Sequence, residues 1–373
     1  MLLCGAMRAR TAALVLTLIT ALAFSAPASA SASASAQALG SADDFTAWFQ
    51  AKNDWTWSGG DQVTSLRASN GLTYWSFGDT AIGEEDPATG AYRAGWEMLP
   101  NTILAQRGDA LHATTIRNAV PDAADGDRYW TQGMFELRGS LYVLCQRVRN
   151  TPDNWFQLRG VELARFTFNA DGSLAYRGMS PTPSSGLIDG NTTATAQYSA
   201  DAVVSDGYVY VFGFSNVPED ENFEPHRSYV ARVPVTSVQT PSAWRFRDAA
   251  GGWNRDIAQA APILRAQISS VRKVGGQWLL AYKPWNGWGD TVHIERRATP
   301  WGAVEGSATI SSPAGTTPGG QRYQTYSPQL HPEQPLASGK LLVSIAWNGV
   351  DLFTDTARDA DLYKPRFYEI TVP

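Results

Sequence analysis

Five glycines recur at nearly equal distances along this chain, at positions 71, 139, 207, 276 and 339, with intervals of 68, 68, 69 and 63 residues. Each stands between a strand of alternating apolar residues and a second strand rich in aromatic and β-branched side chains. The flanking pairs are Val63–Leu66 with Thr73–Phe77, Met134–Leu137 with Leu141–Leu144, Ala202–Val204 with Tyr208–Phe212, Ile268–Val271 with Gln277–Tyr282, and Leu330 with Leu341–Ile345. Asn70-Gly71, Asp206-Gly207 and Gly275-Gly276 are dipeptides that accept the positive φ of a tight hairpin. A unit of about 68 residues holds one four-stranded sheet but cannot bury both of its faces alone. Five such units are therefore expected to stack around an axis as an all-β, five-bladed β-propeller with a central channel. A two-sheet sandwich would bury similar strands, but it gives no reason for the period. Near the C-terminus, Leu362–Tyr368 is expected to supply a strand completing a blade begun by the N-terminal residues, which would hide free edges.

The chain begins with the pattern of an export signal over residues 1–30. Arg8 and Arg10 precede the apolar run Thr11–Phe24, and Ala28 and Ala30 fit a small-residue cleavage site. The run is shorter than the roughly 20 residues a membrane-spanning helix needs, and Cys4 lies ahead of it, so no membrane anchor is expected. Residues 31–42, mostly Ser and Ala, read as a disordered leader, and 43–373 as a single propeller domain of a secreted, extracellular protein.

Composition fits many short strands joined by tight turns: Gly and Pro total 54 and aromatic residues 42, while long amphipathic helices are not evident. Without the signal, 28 basic residues face 35 acidic ones, a net charge of −7 that argues against nucleic acid or anionic membrane as a partner. Cys145 is then the one remaining cysteine, which excludes an internal disulfide, and its apolar setting in Leu141–Val148 reads as a buried side chain.

Polar residues at the start of each innermost strand converge on one mouth of a propeller, so the site is sought there. Asp61, Gln132, Asp201, Gln267, Tyr326 and His331 are the candidates, with Trp57, Trp130, Tyr198, Trp285 and Trp288 as stacking platforms for sugar rings. Two carboxylates facing each other suit glycosidic hydrolysis, one protonating the leaving oxygen while the other activates water or attacks carbon. Asp61 and Asp201, on different blades, are expected to be that pair, with Asp79 orienting one of them or touching substrate. An Asp beside Gly at a strand end also serves as an ordinary turn residue. The acidic loops Glu84-Glu85-Asp86 and Glu219-Asp220-Glu221 with Glu224 leave a structural calcium ion open but lack EF-hand spacing, and no other cofactor or metal set is expected. Asn191-Thr192-Thr193 matches a glycosylation acceptor that reads as chance.

Gly59-Gly60-Asp61 followed by Thr73–Thr80, Tyr129-Trp130 before Leu141-Tyr142-Val143, Tyr326-Ser327-Pro328 to His331-Pro332, and Tyr363–Phe367 resemble secreted actinobacterial five-bladed propellers of the domain of unknown function 4185 or 5005 type. That group includes endo-D-arabinanases, so the resemblance, which spans nearly the whole chain after the signal, implies a hydrolase of furanose-rich, arabinan-like cell-wall polysaccharide. It also leads one to expect an acidic residue in the second blade where this chain has Gly133; if that position is needed for catalysis, the alternative is a carbohydrate-binding propeller without activity. A protein-interaction scaffold is a third reading. The expected partner is a polysaccharide or oligosaccharide, and the expected state a monomer.

Overall fold

All five periodic glycines take positive φ, from 69° at Gly339 to 83° at Gly276, and each joins two successive strands of a sheet. At three of these hairpins the preceding residue, Arg138, Asp206 or Gly275, is left-handed as well (φ 50°, 50° and 57°), which matches the twist of the strands it joins. The structure, a computed structural model, describes residues 39–373 apart from 115–116, 152–155, 187–192, 217–225 and 286–288. The expected signal, most of the leader, Trp288, the acidic loop Glu219–Glu224 and Asn191-Thr192 lie outside the described residues.

Five antiparallel sheets follow one another along the chain. Sheet I comprises Thr64–Arg67, Thr73–Phe77, Thr102–Arg107 and Ala110–Ala113; sheet II comprises Arg128–Leu137, Ser140–Arg149, Gln157–Phe168 and Leu174–Pro181. Sheet III comprises Thr193–Ser205, Tyr208–Asn216, His226–Pro234, Arg245–Arg247 and Trp253–Asn254. Sheet IV comprises Ile268–Val274, Gln277–Tyr282, Thr291–Arg297 and Val304–Ser311, and sheet V Gly315–Thr316, Arg322–His331, Leu341–Gly349 and Arg366–Ile370. A short sixth sheet, Gly59–Gly60, Thr80–Ile82 and Glu97–Leu99, is inserted in the region of sheet I.

The inner strands touch in cyclic order: Thr64–Arg67 meets Arg128–Leu137, which meets Thr193–Ser205, then Ile268–Val274, then Arg322–His331, and this last meets Thr64–Arg67 again. Burial follows the same circle. Tyr74 and Ile103 pack with Val143 and Phe166 between sheets I and II; Leu144 and Leu163 pack with Val211 and Phe246 between II and III. Phe212 meets Leu280 between III and IV, and Ile294 meets Val343 between IV and V. Each sheet is thus covered on both faces by its neighbours, the β-propeller solution to sheets that cannot stand alone.

The seam between sheets V and I is sealed differently from the expectation. Arg366–Ile370 does form the outer strand of sheet V, but the N-terminal segment lies on it as a helix, α1 (Ala42–Gln50), rather than as a strand. Ser41 caps α1 in a capping box with Asp44, so the structured chain begins inside the stretch read as leader. Phe45 and Phe49 of α1 pack on Trp75, Phe77 and Phe367, and the Phe367 N–H donates to Thr46 Oγ1 at 2.9 Å.

Candidate active site

The short sheet places two aspartates side by side. Gly59–Gly60 pairs with Thr80–Ile82, and the pairing runs on past the strand ends: the Asp61 N–H donates to the Asp79 carbonyl at 3.2 Å, and the Gly78 N–H to the Asp61 carbonyl at 3.1 Å. Glycine at position 78 makes room for the Asp61 carboxyl, since a Cβ there would stand 2.5 Å from Asp61 Oδ1.

Sheets II and V close around the pair. Both inner strands break register near the site, at Thr131/Met134 and Tyr326/Gln329, and such bulges re-aim side chains. The Tyr326 hydroxyl donates to Asp61 Oδ2 at 2.7 Å and accepts from Asn348 Nδ2 at 3.2 Å. Trp130 Nε1 donates to Asp79 Oδ1 at 2.7 Å, its ring held edge-on by Phe156. The hydroxyl of Tyr363, from the turn Ala360–Tyr363, is buried in the same neighbourhood and has no hydrogen-bond partner among the described residues. Asp61 Oδ1 is buried without a hydrogen-bond partner among the described residues, and neither carboxylate forms an ion pair there.

Burial disfavours charge on both groups. It pushes Asp61 up to about 6, against the pull of Tyr326, Tyr363 and two backbone N–H groups. Asp79 is pushed well above the usual carboxylate range, first by burial and then by the charge of Asp61, with Trp130 and Arg128 opposing. Asp79 is pushed the further of the two, so Asp61 ionises first and Asp79 keeps the proton. Near neutral pH the pair is one carboxylate and one carboxylic acid, the two forms that acid/base chemistry requires. Burial and the charge of Asp61 hold the hydroxyls of Tyr326 and Tyr363 protonated, and Tyr326 is the donor.

Asp201 is not the partner of Asp61. Its carboxylate, fully buried, forms an ion pair with Arg272 and accepts from the Val271 N–H (2.7 Å), Ser270 Oγ (3.1 Å) and the Ala202 N–H (2.8 Å). Arg272 also reaches from sheet IV to the Ser65 carbonyl of sheet I at 3.3 Å, so at this level the ring interior is occupied by a side chain. His331 extends the cluster: Nδ1 meets Ser65 Oγ at 2.5 Å, Nε2 meets Ser344 Oγ at 2.8 Å, and Ser65 Oγ donates to Glu333. It fills the wall instead of meeting a ligand. The glycine at 133 has the same origin, since a Cβ there would come within 2.5 Å of the Asp201 backbone, and an acidic side chain does not fit.

The remaining candidates divide. Trp57 and Tyr198 are core residues, packed on Phe49 and Phe77 and on Trp244 and Phe246, and are not sugar platforms. Gln132 is buried and donates to Gln146 Oε1 at 3.3 Å, which ties sheet II through Ser199 to sheet III. Gln267 is half-buried at the start of sheet IV, and Trp285 is exposed with φ 59°. Trp130 and Tyr326 alone of these touch the carboxylate pair directly. Sequence reasoning missed Tyr363 and Asn348. Among the described residues no group of His, Cys, Asp and Glu is set to hold a metal ion, and Glu85 of the first acidic loop pairs with Lys364 at 3.3 Å. No described helix is long and apolar enough to cross a membrane.

The model of a family described as Domain of unknown function (DUF5005) matches residues 42–372. No curated protein matches the chain. Among solved structures, a candidate hydrolase from Bacteroides ovatus aligns with a TM-score of 0.67 at 21% identity, over 87% of this chain and 88% of its own. A GH43_1 enzyme from Xanthomonas citri complexed with xylotriose aligns less well (TM-score 0.47, 12% identity, 87% and 92% covered). So does a mutant alpha-L-arabinanase from Cellvibrio cellulosa (TM-score 0.47, 11% identity, 85% and 92% covered). The likeness to the Bacteroides ovatus structure is one of fold.

Proposed function

The chain belongs to the DUF5005 family, and on that premise we propose that it is a secreted glycoside hydrolase acting on a furanose-rich, arabinan-like cell-wall polysaccharide. In this reading the five ring sheets are the five blades of one propeller, and the short sheet is an insertion that carries the catalytic pair. The observation that supports hydrolysis is the Asp61–Asp79 pair: two adjacent carboxyl groups, Asp61 buried and Asp79 half-buried, with no ion pair among the described residues, Asp79 kept protonated by desolvation and by the charge of Asp61. Asp79 donates its proton to the glycosidic oxygen as the bond to the anomeric carbon breaks. Asp61, ionised and steadied by Tyr326, supports the positive charge that develops on the sugar and activates water or attacks carbon. Trp130 holds the Asp79 carboxyl toward the site.

Export rests on the pattern of residues 1–30, and the substrate class on the motifs shared with arabinan-cutting propellers. The case for binding without catalysis leaned on Gly133, and that position is glycine for packing. Incubation with mycobacterial arabinan, followed by chromatography of the soluble fraction, tests the proposal: the wild-type protein releases oligosaccharides, and Asp61→Asn, with an unchanged circular dichroism spectrum, releases none. Wild-type-like release by that variant rejects the assignment.

A further inference from the structure

A cleft of about 250 Å³ opens where the end of Leu341–Gly349 meets the helix α2 (Leu352–Arg358), and its Asn348 is linked to Asp61 through the Tyr326 hydroxyl. Gln324, Asn348, Asp351, Leu352 and Phe353 line it. The volume lies under the roughly 300 to 1,000 Å³ of pockets that enclose drug-sized ligands, so it suits one small ring and not a chain. Phe353 is 56% exposed, an unusual state for a large apolar side chain. Its ring stands 6.5 Å from Trp96, which stacks on Tyr92 at 5.0 Å, so the exposed face has rigid support. The polar lining consists of two amides and a carboxylate. Among the described residues no lysine or arginine lines the cleft, and Asp351 repels anions, so the chemistry fits a neutral polyhydroxylated ring with one apolar face.

Asn348 joins this cleft to the reaction centre. The residue is 6% exposed; Nδ2 donates to the Tyr326 hydroxyl, and Oδ1 has no partner among the described residues. A buried acceptor without a donor is costly, and a ligand hydroxyl entering the cleft can supply one. Such a bond would fix the amide with Nδ2 toward Tyr326, which in turn donates to Asp61.

We propose that this cleft is the subsite for a neutral sugar residue next to the cleaved bond, with Phe353 as its stacking face and Asn348 as a positioning residue that couples occupancy to the Asp61 carboxylate. The proposal rests on the hydrolase reading for its consequence, but its binding half is separable. Arabino-oligosaccharides of graded length are titrated by calorimetry into Asp79→Asn protein, with and without Phe353→Ala. Affinity for the longer members should fall about tenfold on losing the ring, and Phe353→Trp should restore it. In turnover, Phe353→Ala should raise KM with little change in kcat, while Asn348→Ala should move the acidic limb of the pH profile upward. Unchanged affinity in Phe353→Ala overturns the subsite, as does the failure of every neutral oligosaccharide tried, xylo-oligosaccharides included, to bind. Binding that depends on Phe353 without any product from wild-type protein sinks the hydrolase reading and leaves the subsite standing.

Discussion

Two carboxylate clusters, around Asp201 and around Asp61, differ in what surrounds the charge. Around Asp201 there is a guanidinium, two backbone N–H groups and a serine hydroxyl, and the neighbouring His331 and Glu333 share a serine. Around Asp61 there is a second carboxyl group, two tyrosines and a buried oxygen with no partner among the described residues. Burial pushes both Asp201 and Asp61 upward, but only Asp201 has a cation to offset it. The first arrangement spends its hydrogen bonds on holding sheets III, IV and I together. The second holds proton affinity in reserve, which serves chemistry better than stability.

The largest expected effect separates the clusters by activity. Asp61→Asn or Asp79→Asn should lower turnover of arabinan by about 10² to 10⁴-fold, the usual worth of a positioned acid or base. The same Asp61 variant should stabilise the protein at neutral pH. The folded-state pKa of Asp61, about 6, lies above its unfolded value, so the native state holds a proton that the unfolded chain has released between about pH 4 and 6. Stability therefore falls as pH rises through that window, by on the order of 2 to 3 kcal/mol, and removing the charge returns it. Thermal melts at pH 4 and pH 8 check the sign: the variant should gain at pH 8 and little at pH 4.

The next effect runs the other way. Asp201→Asn leaves Arg272 buried without its counter-charge, and breaking such a pair costs about 3 to 5 kcal/mol. Chemical denaturation should show that loss, while activity per folded molecule changes far less than in the Asp61 variant. If Asp201→Asn instead kills turnover without loss of stability, the division between the clusters is wrong.

How much of this was legible in the sequence follows from what each signal depends on. The ring was legible because a hairpin glycine is a local requirement, and its period survives whatever packs around it. Asp61 and Asp79 stood out beside glycines, yet their partnership did not, because it depends on a short inserted sheet that sets residue 61 opposite residues 78 and 79. Asp201 has the same local appearance as a catalytic aspartate; only Arg272, 71 residues away, shows that it is structural. Trp57 and Tyr198 misled for a related reason, since seams between sheets and sugar platforms call for the same large rings. Tyr363 lay in a segment read for its strand, and Asn348 carried no signal in spacing or composition.

The smallest effect probes the Asp61 side of the comparison most finely. Tyr326→Phe keeps the ring that fills the seam and deletes one O–H donor to a charged oxygen, a bond worth about 1.5 to 3 kcal/mol. That bond favours the ionised form, so its loss raises the pKa of Asp61 by about one to two units from the present value near 6. The acidic limb of kcat/KM should move up by the same amount, with the alkaline limb, set by Asp79, moving less. The variant then loses most activity at mildly acidic pH and regains much of it as the buffer is made alkaline. Asp201, bound to sheet IV, should not notice the change, so any loss of stability in denaturation near pH 4 should stay within about 1 to 3 kcal/mol, the cost of the unpaired Asn348 amide. An acidic limb that stays in place would mean that the group controlling turnover is not Asp61, and the contrast between the two clusters would have to be drawn around another residue.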